Sequence, residues 1–117
     1  MRDGFIRAAA ATPKIKVADP VHNREVVCSI IEEYERKGVE LLVFPELCLS
    51  GYTCNDLFLQ EVLLEQVREE LKNLVEFTKE KKMLVFAGLP WEHEGKLYNV
   101  AAAICDGELL GLSLIHI

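Results

Sequence analysis

Short apolar blocks along the chain predict three strands separated by two helices and followed by a hairpin. The blocks at 41–44 and 83–87 are apolar without alternation, which is typical of strands covered on both faces. The run at 5–11 fits a first strand, although it contains four successive alanines. Gly88 and Pro90 are expected to stop the third strand.

The first helix is expected to begin at Asn23, a good N-cap residue, after a connection over 12–22 that contains Pro13 and Pro20. It is expected to close at Gly38, which suits a left-handed conformation. Its apolar face consists of Val26, Val27, Ile30, Ile31 and Tyr34.

The second helix is longer and is expected to begin around Asp56, after a loop over 45–55. Apolar spacing assigns its inner face to Leu63, Val67, Leu71, Leu74, Val75 and Thr78. The positions expected to be solvated are Glu65, Glu69, Glu70 and Lys72.

The last two strands, at 97–105 and 108–112, flank Asp106-Gly107, a pair favoured in tight hairpins. Alternating strands and helices predict an α/β fold with parallel strands joined by right-handed crossovers. The hairpin should add an antiparallel extension to that sheet.

Composition narrows the class of protein. The chain has 117 residues, is 50% hydrophobic and carries a net charge of -6, which describes one folded domain. The acidic balance argues against nucleic acid as a partner. No apolar run is long enough to span a membrane, and no signal peptide is recognisable, so a cytoplasmic protein is expected. The four cysteines form no C-x-x-C pair, so neither a metal site nor a disulfide framework is indicated.

Glu46 is the most conspicuous candidate for chemistry, because it follows a buried strand directly and lies between Pro45 and apolar residues. Ligands of such sheets bind beyond the carboxyl ends of the strands. Desolvation there would raise the pKa of a carboxyl group toward the range of a general base. From spacing alone, a surface carboxylate that caps a turn is the better-supported interpretation.

Three neighbouring side chains each have a functional and a structural interpretation. Cys48 and Cys54 have the chemistry of nucleophiles, but Cys48 is too close to Glu46 along the chain to face it across a substrate, and buried apolar packing is favoured for both. Tyr52 either lines a pocket or packs within the turn.

The stretch at 43–52 reads VFPELCLSGY, and it resembles the first motif of the nitrilase, or carbon–nitrogen hydrolase, superfamily. Its continuation TCNDLFLQ is similar to the glutaminase domain at the N-terminus of glutamine-dependent NAD synthetases. The stretches at 3–7, 97–101 and 107–111 agree with the same family. The resemblance covers about residues 1–111, which are interpreted as part of that domain.

The resemblance implies the N-terminal part of an αββα sandwich. In the family a Cys attacks the side-chain amide of glutamine, a Glu relays protons and a Lys stabilises the intermediate. Glu46 matches the Glu, and Tyr52 matches a tyrosine near the glutamine site. The implied partners are glutamine, a C-terminal synthetase domain that binds ATP and Mg, and further copies in a homo-oligomer. No cofactor or metal is implied for this segment.

Residues 112–117 depart from the family pattern and are interpreted as a foreign tail of a truncated sequence, with a native short protein as the less supported alternative. Ile115 stands where the family Lys is expected, and the nucleophilic Cys would lie beyond residue 117. The chain as written is therefore expected to be inactive. Two alternatives remain open at this point: a stand-alone amidase of the nitrilase family, and a non-catalytic α/β module that binds a partner through a sheet edge.

Overall fold

The computed structural model describes residues 4–51 and 61–116, of which 115 and 116 are described as backbone only. Within these ranges the elements are β1 (Ala8–Ala10), α1 (Pro20–Arg36), β2 (Leu41–Val43), α2 (Glu61–Phe77), β3 (Leu84–His93), β4 (Lys96–Cys105) and β5 (Glu108–His116). The strands lie side by side in chain order in one sheet. β1, β2 and β3 are parallel, whereas β3, β4 and β5 are antiparallel. The predicted parallel layer with an antiparallel extension is confirmed.

The first helix begins earlier than its sequence pattern predicts. Asp19 is the N-cap and accepts a hydrogen bond from the His22 amide at 3.1 Å. Pro20 lies in the first turn of the helix, where a proline has no N–H to lose and its fixed φ is already suitable. The prediction of Asn23 as the cap is therefore wrong. Gly38 adopts the expected left-handed conformation, with a φ of 78°.

The third strand continues through the two residues that were expected to stop it. The carbonyl of Phe86 accepts a hydrogen bond from the Phe44 amide at 2.8 Å, and the carbonyl of Gly88 accepts one from the Leu49 amide at 3.2 Å. Alternate residues of β3 therefore direct their backbone polar groups toward β2. Pro90 belongs to this set and lies beyond Phe86, the last residue of β3 that pairs with β2. Its missing N–H therefore removes no hydrogen bond from the sheet.

Two tight turns fold the antiparallel part of the sheet. Asp106 and Gly107 have φ values of 46° and 77°, as the predicted hairpin requires. Glu94 and Gly95, with φ values of 51° and 77°, form a hairpin between β3 and β4 that was not predicted. Glu-Gly is a weaker sequence signal than Asp-Gly, because Glu adopts positive φ less readily than Asp.

The last strand is longer than the predicted 108–112. Ser113, Leu114 and His116 also pair with β4, and the register shifts between Asn99 and Val100 and between Ala103 and Ile104. A foreign origin of the segment at 112–117 stays a prediction, since a backbone that pairs in a sheet can come from many sequences.

The two described helices cover one face of the sheet. Leu42, Val85 and Ala87, at alternate positions of their strands, are fully buried. They belong to one apolar cluster with side chains from both helices, including Val27, Ile31, Val67, Leu71 and Leu74. The helical faces that were predicted from apolar spacing are confirmed for these residues.

Glu70 is an exception to the predicted polar face of α2. It is 7% exposed rather than solvated. The Arg24 side chain on α1 donates to its Oε1 at 2.8 Å, and the pKa of Arg24 is raised chiefly by this hydrogen bond. A partner 46 positions away is invisible to a helical periodicity, which explains the wrong prediction.

No described helix or strand covers the opposite face of the sheet, and among the described residues the turn at 45–47 lies on it only near Gly88. Leu41 and Val43 flank the buried Leu42 and point away from the helices. Val43 is 40% exposed, and Phe86 beside it is half-buried. A bare, largely apolar sheet face is the kind of surface that drives association, since soluble monomers rarely expose apolar patches beyond roughly a few hundred Å².

We expect the 117-residue chain to self-associate at micromolar concentration through this bare face. Val43→Glu should reduce the association, because a charge on that face must be desolvated on contact. Val21→Glu on α1 is the control, since Val21 is similarly exposed, at 44%, and lies away from the bare face. Sedimentation velocity measures the association state of the parent chain and of the two variants. A monodisperse parent chain that melts cooperatively as a monomer contradicts the expectation.

Candidate active site

A groove of about 460 Å³ opens beyond the carboxyl ends of β1 and β2. Its lining comes from the segment that follows β1 and from the turn that follows β2, and consists of Thr12, Pro13, Ile15, Pro45, Glu46 and Cys48. This is the place where open parallel sheets bind their ligands. The structure therefore brings the candidate carboxylate to the expected end of the sheet.

The turn that carries Glu46 is built by one unusual backbone conformation. Leu47 has a φ of 54°, which is rare for a bulky residue and reverses the direction of the chain directly after Glu46. The Gly51 amide donates to the Leu47 carbonyl at 2.7 Å and closes the turn. The Leu49 amide donates a hydrogen bond to the Gly88 carbonyl of β3 at 3.2 Å, which connects the turn to the sheet.

Gly88 lets the Glu46 turn lie directly on the sheet. A Cβ at this position would lie 2.4 Å from the Leu47 nitrogen, 2.6 Å from the Pro45 oxygen and 2.8 Å from the Glu46 Cα. All three are backbone atoms, so no side-chain rotation relieves the overlap. The position of Glu46 therefore depends on a glycine from another strand.

Asn23 joins the two walls of the groove. Its Oδ1 accepts from the Lys16 amide at 2.7 Å, while its Nδ2 donates to the Lys16 carbonyl at 2.8 Å and to the Leu49 carbonyl at 3.1 Å. Asn23 is fully buried, and these contacts use both donors and one acceptor of its amide. Sequence reasoning assigned it to a cap because Asn is common there, and nothing in the local pattern shows a contact with Leu49.

The Glu46 carboxylate is exposed, so the expected desolvation is wrong for the described structure. The reversal at Leu47 directs the following side chains inward and leaves Glu46 on the rim. Leu47, Cys48 and Leu49 are 7%, 1% and 0% exposed. The apolar residues of the motif thus anchor the turn, whereas the charged one faces the groove.

Asn99 is the described hydrogen-bond donor to the candidate carboxylate. Its Nδ2 lies 3.3 Å from Glu46 Oε2, and its Oδ1 is buried with no partner among the described residues. Asn99 lies on β4 opposite Pro90 of β3. Sequence reasoning missed this residue as a site residue, since the pairing of β3 with β4 brings it to Glu46 from 53 positions away.

Cys48 is not an activated nucleophile in this arrangement. Burial raises the pKa of its thiol to about 12, and its Sγ points to the Gly88 carbonyl at 3.6 Å. The predicted role as buried packing is confirmed for Cys48. Cys54 and Tyr52, the other candidates of this segment, lie outside the described residues.

The part of the chain that the structure describes gives no support for a metal site or for a membrane-spanning helix. No group of three or more His, Cys, Asp and Glu side chains there is arranged to hold a metal ion. Neither described helix is long and apolar enough to cross a membrane.

The fold and the groove define an α/β protein with a carboxylate at the carboxyl end of its parallel strands. The sequence profile of the carbon-nitrogen hydrolase family matches residues 7–113. The chain belongs to this family.

Among curated proteins, the chain is 37% identical over 109 residues to the glutamine-dependent NAD(+) synthetase of Mycobacterium tuberculosis, covering 93% of this chain and 16% of that protein. It is 37% identical over 100 residues to the enzyme of the same name from Aquifex aeolicus, covering 86% of this chain and 17% of that protein. The chain thus spans about one sixth of the length of these relatives.

Solved structures give the same likeness. A glutamine-dependent NAD(+) synthetase from Cytophaga hutchinsonii superposes with a TM-score of 0.88 at 30% identity, covering 96% of this chain and 19% of that one. An amidase of the nitrilase superfamily from Nesterenkonia sp. AN1 superposes with a TM-score of 0.76 at 21% identity, over 93% of this chain and 42% of that one. The predicted fold class, part of a nitrilase-like sandwich, is confirmed.

We expect Gly88→Ala to destabilise the fold by displacing the turn at 45–47. Overpacking of this kind costs about 1–3 kcal/mol, which lowers the thermal midpoint by roughly 5 °C or more. Gly111→Ala is the matched control, because Gly111 also lies in a strand and a Cβ there has no atom within 4 Å. Thermal unfolding of the three chains at equal concentration measures the effect. Equal midpoints for the two variants would show that the close approach is not required.

Proposed function

We propose that the chain is the first part of the glutaminase domain of a glutamine-dependent NAD synthetase. Support comes from the family assignment and from relatives that carry this name at 37% identity. In this proposal the complete domain hydrolyses the side-chain amide of glutamine. The ammonia then serves a synthetase domain that converts nicotinic acid adenine dinucleotide, activated by ATP, to NAD.

Glu46 is the proton acceptor of the amide cleavage in this proposal. The observation that carries the role is its placement: an exposed carboxylate on the rim of the groove, held by a turn that rests on Gly88. Glu46 accepts its described hydrogen bond from Asn99 on β4, whereas a capping carboxylate would accept one from a nearby turn amide. A fixed carboxylate at a ligand groove is suited to take and return a proton.

The chemistry requires groups from the remainder of the domain. A Cys thiol supplied there attacks the amide carbon of glutamine, and Glu46 takes the thiol proton. Glu46 then returns that proton to the leaving nitrogen, so that ammonia departs and a thioester remains. In the second step Glu46 deprotonates a water molecule, which attacks the thioester carbon and releases glutamate. The C–S bond breaks, and Glu46 returns the proton to the departing Cys sulfur. A Lys of the remainder stabilises the oxyanion in both steps.

Several further assignments belong to the same proposal. Tyr52 contributes to glutamine binding, as its place in the family motif implies. ATP and Mg bind to the synthetase domain of the longer protein, and the complete enzyme is a cytoplasmic homo-oligomer. The sheet face around Val43 receives the second sheet of the complete sandwich, which explains its exposure in this chain.

Glu46→Gln in the full-length enzyme is expected to separate the two ammonia sources. The amide keeps the shape of the side chain but is not a base, so glutamine-dependent NAD formation should fall by at least ~10²-fold. NAD formation from ammonium salts should stay near the parent level, because free ammonia bypasses the cleavage. Steady-state rates with each nitrogen source measure the split.

Glu65→Gln is the control for the loss of one negative charge, since Glu65 is exposed on α2 away from the groove. Both activities of that variant should match those of the parent enzyme. If Glu46→Gln keeps its glutamine-dependent rate, Glu46 is not the base and the proposal fails at its central residue. Equal loss of both activities would indicate a folding defect and would favour a turn-capping role for this carboxylate.

A further inference from the structure

We infer that Asn99 is a positioning residue that fixes the orientation of the Glu46 carboxylate, an inference that rests on the proposed function of Glu46. The contact joins Asn99 Nδ2 to Glu46 Oε2 at 3.3 Å. A carboxylate only accepts hydrogen bonds, so the amide nitrogen, and not the amide oxygen, must face it. The carboxylate thereby determines which way the Asn99 amide is turned.

That orientation leaves the other end of the amide in an unfavourable position. Asn99 Oδ1 is buried and has no hydrogen-bond partner among the described residues. Buried polar atoms are nearly always paired, and an unpaired one weakens the fold. An apolar side chain of similar size, such as Leu, would fill the same volume without this cost. Asn99 has one property that Leu would lack at this position: its Nδ2 donates a hydrogen bond to Glu46.

The hydrogen bond from Asn99 restricts the side-chain conformation of the exposed Glu46. Without a partner, the Glu46 side chain would sample several rotamers, and a base must stay within hydrogen-bond reach of the proton that it abstracts. Asn99 binds Oε2, and we therefore assign proton transfer to Oε1, the oxygen that this contact leaves to the substrate. The backbone turn on Gly88 places the Cα of Glu46, and Asn99 orients the end of its side chain.

The test uses Asn99→Leu and Asn99→Asp in the full-length enzyme. Leu removes the donor, and Asp keeps the shape while it presents an acceptor to Glu46. Each should lower kcat of the glutamine-dependent reaction by about tenfold or more with little change in KM, because a misplaced base slows chemistry rather than binding. The ammonium-dependent rate should not change. Asn73→Leu is the matched control, since Asn73 also donates to a glutamate, Glu70, at 3.3 Å on α2.

A double mutant separates positioning from a general structural role. If Asn99 acts through Glu46, Asn99→Leu should lower the residual glutamine-dependent rate of Glu46→Gln by less than about twofold. An unchanged kcat in both single variants overturns the inference. An additive loss in the double mutant also overturns the inference. So does an equal loss of the ammonium-dependent rate in Asn99→Asp, the variant that preserves the packing if Asn99→Leu does not fold.

The outcome for Glu46→Gln alone distinguishes the two proposals. A full glutamine-dependent rate in that variant contradicts the proposed function. A strongly reduced rate, together with an unchanged kcat for both Asn99 variants, contradicts only the positioning role.

Discussion

The close approach of the Glu46 turn to β3 is the constraint on which the candidate site depends. Backbone atoms of Pro45, Glu46 and Leu47 lie where a Cβ of Gly88 would be, so the turn and the strand fit only with glycine at that position. Leu47 in the same turn has a positive φ, a conformation that is rare for a bulky residue. The apolar side chains after Glu46 then enter the core, and the carboxylate is left facing the groove.

A second layer of contacts holds this turn from the other side. The buried Asn23 amide bridges Lys16 and Leu49, and the Ala18 amide donates to the Ser50 carbonyl at 2.7 Å. These hydrogen bonds connect the segment after β1 with the turn after β2, which are the two walls of the groove. The start of α1, where Asn23 lies, is thus part of the support of the site as well as part of the core.

Local sequence patterns predicted what local physics determines. The order of elements, the parallel layer and the Asp106-Gly107 hairpin follow from apolar periodicity and turn chemistry. Two of the errors depend on distant segments: Glu70 is buried and accepts a hydrogen bond from Arg24, and Pro90 is tolerated because β2 has already ended. The exposure of Glu46 was missed for a different reason, because the positive φ of the adjacent Leu47 has no signal in the sequence.

The candidate site shows the same division. Glu46 was identified from its motif and from its place after a strand, whereas Asn99 reaches it only through the pairing of β3 with β4. Gly88 carries no sequence signal for its role beyond being a glycine, because the atoms that it accommodates belong to another segment. A site that is assembled between strands is therefore predicted in part, through the residues that one segment supplies.

The role of Glu46 can be tested by a crystal structure of the full-length enzyme with glutamine bound and the nucleophilic Cys replaced by Ala. We expect one Glu46 oxygen to lie within about 2.6–3.2 Å of the amide nitrogen of glutamine or of an intervening water. The other oxygen should still accept a hydrogen bond from Asn99. A Glu46 carboxylate that points away from a fully occupied glutamine site, with no polar contact to the substrate or to a bridging water, would contradict it.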